Sequence, residues 1–485
     1  MELDIWRRVG YSLVDGSIVS ESVASAEISR GIQACLGVSP TEVLSLYQLL
    51  LSAEFIEQQR RKEKLRENNR IYNCAVVMWL MIAQRLQGHG TLETAVLEVG
   101  CGLSSSFWPN PCKRLQVDAN GQKPRLSSNT GSYNDARQAL PVRIVEQSYD
   151  RAFEQMADQF EGAVPALGLP AFVYDGSTVR TSRTAALCAA YPPGSNQHGE
   201  GHWPLIQMVV AHDLYTGLAM RPEWGPMYGP HAVSEQGLIE QSMDRLPAGA
   251  VVVYDANSVF SVAYAADQRN HPVVLRLTAA RAQRLLGEPL QDGIDRRIVW
   301  KPSSADRKSH PQLPAEAAVA GRLIVRCVQP SDHSEAFLLA LFTTLEAEPD
   351  QIIPIYGARW NIETDLRSLK GTLELEQLTC TTPEMVAKEI NLAMLAYNLV
   401  RVVTYLAAQK AGLPPRSFSF TRVRNVIRAF GPLIAAAQDE QEAKELWDKM
   451  MYYVGQAKLP KRRVRRASYP RAAWGRPQTF PKRKA

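Results

Sequence analysis

Hydrophobic and polar positions change their period along this chain. Up to about residue 165 the spacing is mostly helical. Residues 44–51 and 71–86 form apolar helical segments, separated by a charged stretch at 57–70. From Pro170 onward, short apolar runs are bounded by Gly, Pro and Ser. Residues 172–175, 205–212, 218–222, 250–255 and 272–277 read as strands, with 213–217 as a turn between the second and third. Residues 234–246 predict a helix with Ser234 as its N-cap. Three strands, a helix, a strand, a helix and a strand make an α/β layer, and periodicity alone allows several such folds. Further strand-like runs lie at 298–300, 323–326 and 337–341. Helices follow at 352–369, 385–410 and 416–450, the second of them stopped by Gly412, Pro414 and Pro415. The apolar stretches 74–83 and 392–408 are too short, or are interrupted by Arg401, and read as buried helices rather than membrane spans.

Composition narrows the class. The 485 residues suffice for two to four domains, and 45% hydrophobic with 21% charged residues is ordinary for a globular protein. The net charge of +6 is unevenly placed: residues 456–485 carry 11 Lys or Arg and no acid, leaving 44 basic against 49 acidic residues elsewhere. A basic tail of this kind suits a polyanion, or serves as a solubilising end. The cation-rich stretch 57–70 either faces phosphate or is a solvated helix face with ion pairs at i,i+4. Seven scattered cysteines without a Cys-x2-Cys pair indicate neither a disulfide framework nor a zinc site, and fit a reducing cytoplasm. His198 and His202 are separated by glycines, which argues against a helical zinc pair. No secretory signal is evident at the start, and no Gly-x-Ser-x-Gly elbow occurs. Residues 104–132 read as a long loop.

The most informative segment is 356–370. On a regular α-helix, Tyr356, Arg359, Glu363 and Lys370 fall within roughly a 60° sector. A carboxylate flanked by two cations and a phenol suits a metal-bound phosphodiester, with Glu363 as ligand and Arg359 and Lys370 as phosphate clamps. Any one such pair taken alone reads as a surface ion pair. Upstream, Asp175 and Asp255 each close an apolar run, where an aspartate is also a common turn former or N-cap. Asp213 competes with Asp255, but its surroundings read as a hairpin turn.

The spacing Tyr-x2-Arg-x3-Glu-x6-Lys from Tyr356 to Lys370 resembles the signature of bacterial insertion-sequence transposases of the DDE type, the cut-and-paste group that excises through DNA hairpins. The resemblance extends from about Ser132 to about Arg401 and includes Asp175 and Asp255. It departs at Ala256-Asn257-Ser258, where relatives often carry Arg-Gly-Phe. It implies a ribonuclease-H-like core, a mixed five-stranded sheet flanked by helices, over 166–280 and 345–412. A β-rich insertion over 281–344 would interrupt it. A helical DNA-end-binding region would occupy 1–165, and a helical region with the basic tail 413–485.

The resemblance further implies Asp175, Asp255 and Glu363 as catalytic metal ligands for two Mg²⁺, with Mn²⁺ able to substitute. Tyr356, Arg359 and Lys370 would bind DNA phosphate, with Arg367 and Arg276 as weaker candidates. Relatives stack a flipped base on an aromatic residue, for which Trp300 is a candidate, although the reading as a buried core tryptophan is favoured. The implied partners are double-stranded DNA, as the element's inverted-repeat ends and its target, and a second copy of the chain in a dimeric complex. No membrane is implied, and the implied place is the nucleoid of a bacterial cytoplasm. Two rivals use the same residues: a two-metal nuclease without strand transfer, and a co-opted, inactive DNA-binding protein.

Overall fold

The computed structural model describes residues 51–459 apart from 66–69, 89, 102–111, 117–125, 160–166, 198, 256–259, 330–335, 436 and 438–439. The basic tail beyond Leu459, residues 44–50 and most of the 104–132 loop therefore lie outside the described residues.

A twisted mixed sheet organises the chain. The run 171–174 is buried on both faces, as expected of a central strand, and begins β1 (Ala171–Arg180). A short β2 (Pro193–Asn196) pairs with the start of the long β3 (Gly199–Asp213), and β4 (Glu223–Pro226) pairs with its middle. The wholly buried β5 (Val251–Tyr254) and β6 (Val273–Leu277) complete the core. Spatially the order is β4-β3-β1-β5-β6. The β4–β3 and β3–β1 pairs are antiparallel, and β1–β5 and β5–β6 are parallel. Helices Glu235–Ser242 and Phe260–Asp267 supply the crossovers between β4 and β5 and between β5 and β6. That order is the ribonuclease-H-like core. The sheet does not stop there. Antiparallel β9 (Phe337–Thr343), β8 (Val319–Val328) and β7 (Asp295–Trp300) continue it beyond β6, giving nine strands in all among the described residues.

The third strand lies later than the pattern predicts, at 223–226 rather than 218–222. Pro222 cannot donate to a ladder, and the backbone of Ala219 is already taken. Its N–H donates to Asn398 Oδ1 at 2.8 Å, and its carbonyl accepts from Asn398 Nδ2 at 2.8 Å and from the Tyr149 hydroxyl at 2.7 Å. Leu218 and Met220 do bond back to Asp213 and Ala211, but this pairing is limited to the single antiparallel bridge of Ala219 with His212.

Asn398 belongs to the helix Pro383–Lys410, which runs through the centre of the helical layer. Thr382 caps its start by accepting from Met385 N, and Gly412, at φ 58°, follows its end. Long and apolar enough to cross a membrane, it has 94% of its most apolar window buried inside the protein. It is a core helix, as Arg401 within it suggested. Helices Cys74–Gln87, Val142–Gln159 and Phe420–Ala435 pack against it. The stretch after residue 57 forms the end of helix Ala53–Lys62, where Glu57 pairs with Arg60 and Arg61 on the solvated side.

Replacing Asn398 with Ala removes the partner of the buried Ala219 N–H and one of the two donors to its carbonyl, leaving the Tyr149 hydroxyl. The expected loss is about 2–3 kcal/mol of stability, read as a lowered denaturation midpoint. An unchanged midpoint would mean that water or a shifted backbone satisfies Ala219.

Candidate active site

The parallel ladder between β1 and β5 ends at the pair Val173 and Val253. Two residues further on each strand come Asp175 and Asp255. With a side-chain period of two, they leave the sheet side by side on one face. Asp175 does not end its strand, as the sequence pattern suggested. Antiparallel pairing with β3 carries β1 on to Arg180, while its parallel neighbour has already stopped. Asp255 follows β5 directly and is half-buried. Asp213 sits elsewhere. It faces Phe172 at the opposite end of the β1–β3 pair, and its Oδ1 accepts from Tyr215 N, Thr216 N and the Thr216 hydroxyl, which makes it the turn former expected.

Burial pushes the Asp175 carboxyl up to about 6, and the neighbouring Glu235 and Asp255 charges add to the shift. The Gly176 N–H at 2.9 Å and the Arg359 charge oppose it. Glu235 was not anticipated. It follows the N-cap Ser234, which accepts from Gly237 N at 3.0 Å, and the sequence showed it only as a helix start. Its Oε1 accepts from the Tyr254 hydroxyl at 2.6 Å. Its Oε2 lies so close over Gly176 that a β-carbon there would meet it at 2.3 Å. The glycine after Asp175 is thus what admits this third carboxylate.

The segment 356–370 is not one uniform helix. An α-helix Pro349–Gly357 passes through a 3-10 turn, Ala358–Trp360, into a second α-helix, Asn361–Arg367, and then a π turn, Ser368–Thr372. Gly357 and Gly371, each costing about 1 kcal/mol in a helix relative to Ala, lie at the tightened and widened turns. The single stripe predicted from 100° per residue is therefore broken. Tyr356 and Arg359 turn inward, Glu363 is exposed, and Lys370 in the π turn is half-buried. Arg359 lies 5.7 Å from the Tyr356 ring and 5.0 Å from the Trp360 ring, on the side of Asp175. The buried Tyr356 hydroxyl lies beside the Arg359 and Arg276 guanidiniums. Burial raises its pKa, and the Arg359 and Arg276 charges partly offset the rise. Arg276, on β6 and over the Phe337 ring, thereby joins the same neighbourhood. Arg367 is exposed. Trp300 takes the favoured core reading rather than the base-stacking one. Only 2% exposed, it packs edge-on against Phe260 and Phe342, offering a nucleobase no face.

Asp175, Asp255, Arg359, Tyr356 and Arg276 are thus brought together. The helix that carries Glu363 packs against β1. Among the described residues, however, no three His, Cys, Asp or Glu side chains are close enough to hold one ion.

Comparison with known proteins decides what such a site belongs to. The transposase DDE domain family matches residues 167–399, a span that starts just before β1 and ends inside the helix that carries Asn398. Residues 167–399 of this chain make up a transposase DDE domain. It is 26% identical over 377 residues to the transposase InsG of insertion sequence element IS4 from Escherichia coli strain K12, covering 76% of this chain and 81% of that one. A piggyBac transposase synaptic complex with hairpin DNA aligns over 87% of both chains at 11% identity and a TM-score of 0.38, too low to carry a fold assignment.

DDE transposases use divalent metal ions, and the residues of this transposase fit one in part. Asp175 and Asp255 offer hard oxygens in a half-buried anionic corner, and Mg²⁺ needs only one or two carboxylates beside its waters and a phosphate. Glu363 stands apart from that pair.

The raised Asp175 pKa has a sign that can be tested. The folded protein keeps its proton up to about 6, whereas the unfolded chain loses it near 3.8. Ionising Asp175 therefore costs stability as pH rises through that window. In metal-free protein, Asp175→Asn should be more stable than wild type by on the order of 1–2 kcal/mol above pH 6.5, allowing for remaining solvent access. The gain should vanish near pH 4. A variant equally or less stable at pH 7.5 would contradict the reading.

Proposed function

We propose that this DNA transposase cuts its element out at the inverted-repeat ends and joins it to target DNA, using Asp175, Asp255 and Glu363 as metal ligands. The observation that supports this reading is the β1–β5 register, which sets Asp175 beside Asp255 with Arg359 next to them. Divalent ions, expected as two Mg²⁺ or Mn²⁺, would supply an activated hydroxyl and charge for the leaving oxygen. The chain's own residues do the rest. Arg359 and Arg276 hold a non-bridging phosphate oxygen, and the Tyr356 hydroxyl beside them donates to it. Lys370, and more loosely Arg367, contact phosphates further along the strand.

In this reading one strand is hydrolysed at each end. The freed 3′ hydroxyl attacks the opposite strand to close a hairpin, and the hairpin is reopened before the ends are joined to target. Two chains bring two ends together. The helices up to about residue 165 read the end sequence, and the basic tail adds phosphate contacts that weaken with salt. The strands within 281–344 act as an insertion that extends the core, and the protein works on the nucleoid of a bacterial cytoplasm.

Excision of a fragment carrying the element's own ends, in Mg²⁺, tests the reading. Alanine at Asp175, Asp255 or Glu363 should reduce cleavage at least about 10³-fold with end binding unchanged. Cleavage surviving in any one variant would remove that residue from the ligand set. Cutting without joining would mark a nuclease, and end binding without cutting a DNA-binding protein.

A further inference from the structure

The most heavily buried charge cluster in the described chain lies two residues beyond Glu363. Asp365 is fully buried, and three side chains converge on it. Arg416 Nη1 donates to both of its oxygens, at 2.8 and 2.7 Å, and Arg401 Nη2 donates to Oδ1. His212 Nδ1 lies 3.8 Å from Oδ2, and burial pushes this imidazole down to about 4, so it adds no charge at neutral pH.

Each guanidinium is anchored in turn. Arg401 Nε donates to the Tyr397 hydroxyl at 2.8 Å, and its charge lies over the Tyr397 and Phe420 rings. Arg416 Nη2 donates to the carbonyl of Asp213, at the end of β3, at 3.1 Å. One carboxylate therefore ties the short helix Asn361–Arg367 to the core helix Pro383–Lys410, to the segment after it, and to the sheet.

An apolar side chain would pack this position at no desolvation cost, whereas a buried ion cluster is expensive and adds little net stability. What it does supply is direction. Apolar contacts from Ile362 and Leu366 let a seven-residue helix slide or rotate, while three directed hydrogen bonds at one carboxylate do not. Positions 363 and 365 lie about 200° apart on a helix. Fixing Asp365 inward therefore fixes Glu363 outward, as observed.

We infer that Asp365 is a positioning residue: clamped by Arg401 and Arg416, it sets the rotation and depth of the helix that carries Glu363, and so the place at which Glu363 meets metal and DNA. The inference rests on the reading of Glu363 as a ligand.

The test uses the full chain with bound end DNA. Mn²⁺ affinity is measured by calorimetry and cleavage by single-turnover rate, for wild type, Glu363→Gln, Asp365→Asn and Arg416→Gln. Residues that orient a metal ligand typically contribute about 10–100-fold to affinity or activity. Asp365→Asn and Arg416→Gln should each weaken Mn²⁺ about tenfold or more and slow cleavage in step, with end-DNA affinity unchanged. A merely structural role would lower the folded fraction while leaving the affinity and rate of the folded molecules as in wild type, and that result overturns the inference. Should Asp365→Asn fail to fold, Arg416→Gln, which keeps the Arg401 contact, decides by the same readings. Wild-type affinity and rate in Glu363→Gln would overturn the site reading and this inference together. Loss in Glu363→Gln alone would overturn only the inference.

Discussion

Parallel pairing of β1 with β5 is the constraint on which the site depends. A one-residue slip in that register would turn either Asp175 or Asp255 to the other face of the sheet. The register is held by runs buried on both sides, 171–174 and 251–254, so a slip would also misplace most of the central core. The carboxylates thus inherit their relative position from hydrophobic burial, which is far stronger than any interaction between them. Like charges that repel are kept adjacent by neighbours that cannot move; burial is the main reason the Asp175 carboxyl is raised, and the nearby Glu235 and Asp255 charges add to it.

The cations enter differently. Arg359 reaches the same corner only because the helix before it tightens into a 3-10 turn at 358–360, which swings the guanidinium inward between Tyr356 and Trp360. Glu363 comes after the turn, on the outer side of the next helix. Strand-borne and helix-borne groups therefore answer to two separate sources of rigidity. One is the sheet. The other is the ion cluster around Asp365, which couples the Glu363 helix to the helical layer.

Much of this was legible in the sequence, for identifiable reasons. Strand runs such as 250–255 and 272–277 announced themselves because burial on both faces demands unbroken apolar residues, and Ser234 announced a helix because an N-cap needs a side-chain acceptor. Asp213 reads as a turn former, and is one, since turn formation leaves a local signature. What failed were features that depend on partners distant in sequence. Residues 218–222 look like a strand, yet they pair with β3 only in one bridge at Ala219, whose outward backbone groups bond Asn398 from 179 positions away. The stripe at 356–370 assumed a constant turn angle, which Gly357 and Gly371 relax. Glu235 looked like an ordinary first-turn acid, and only the fold brings it over Gly176. Asp365 lies inside the 356–370 segment, yet its role has no signature there, because Arg401 and Arg416 cannot be matched to it by spacing.

The match to a transposase DDE domain accords with carboxylates at these places in the fold. It does not by itself say that they share a metal in this chain. Iron-directed cleavage tests that most directly. Fe²⁺ would be supplied to the protein with bound end DNA in place of Mg²⁺, together with ascorbate and peroxide, and the broken polypeptide mapped by mass spectrometry. Backbone breaks clustered near Asp175, Asp255 and Glu363, suppressed by excess Mg²⁺, are the expected result. Breaks at Asp175 and Asp255 without any near Glu363, or breaks indifferent to Mg²⁺, would contradict a shared three-carboxylate centre.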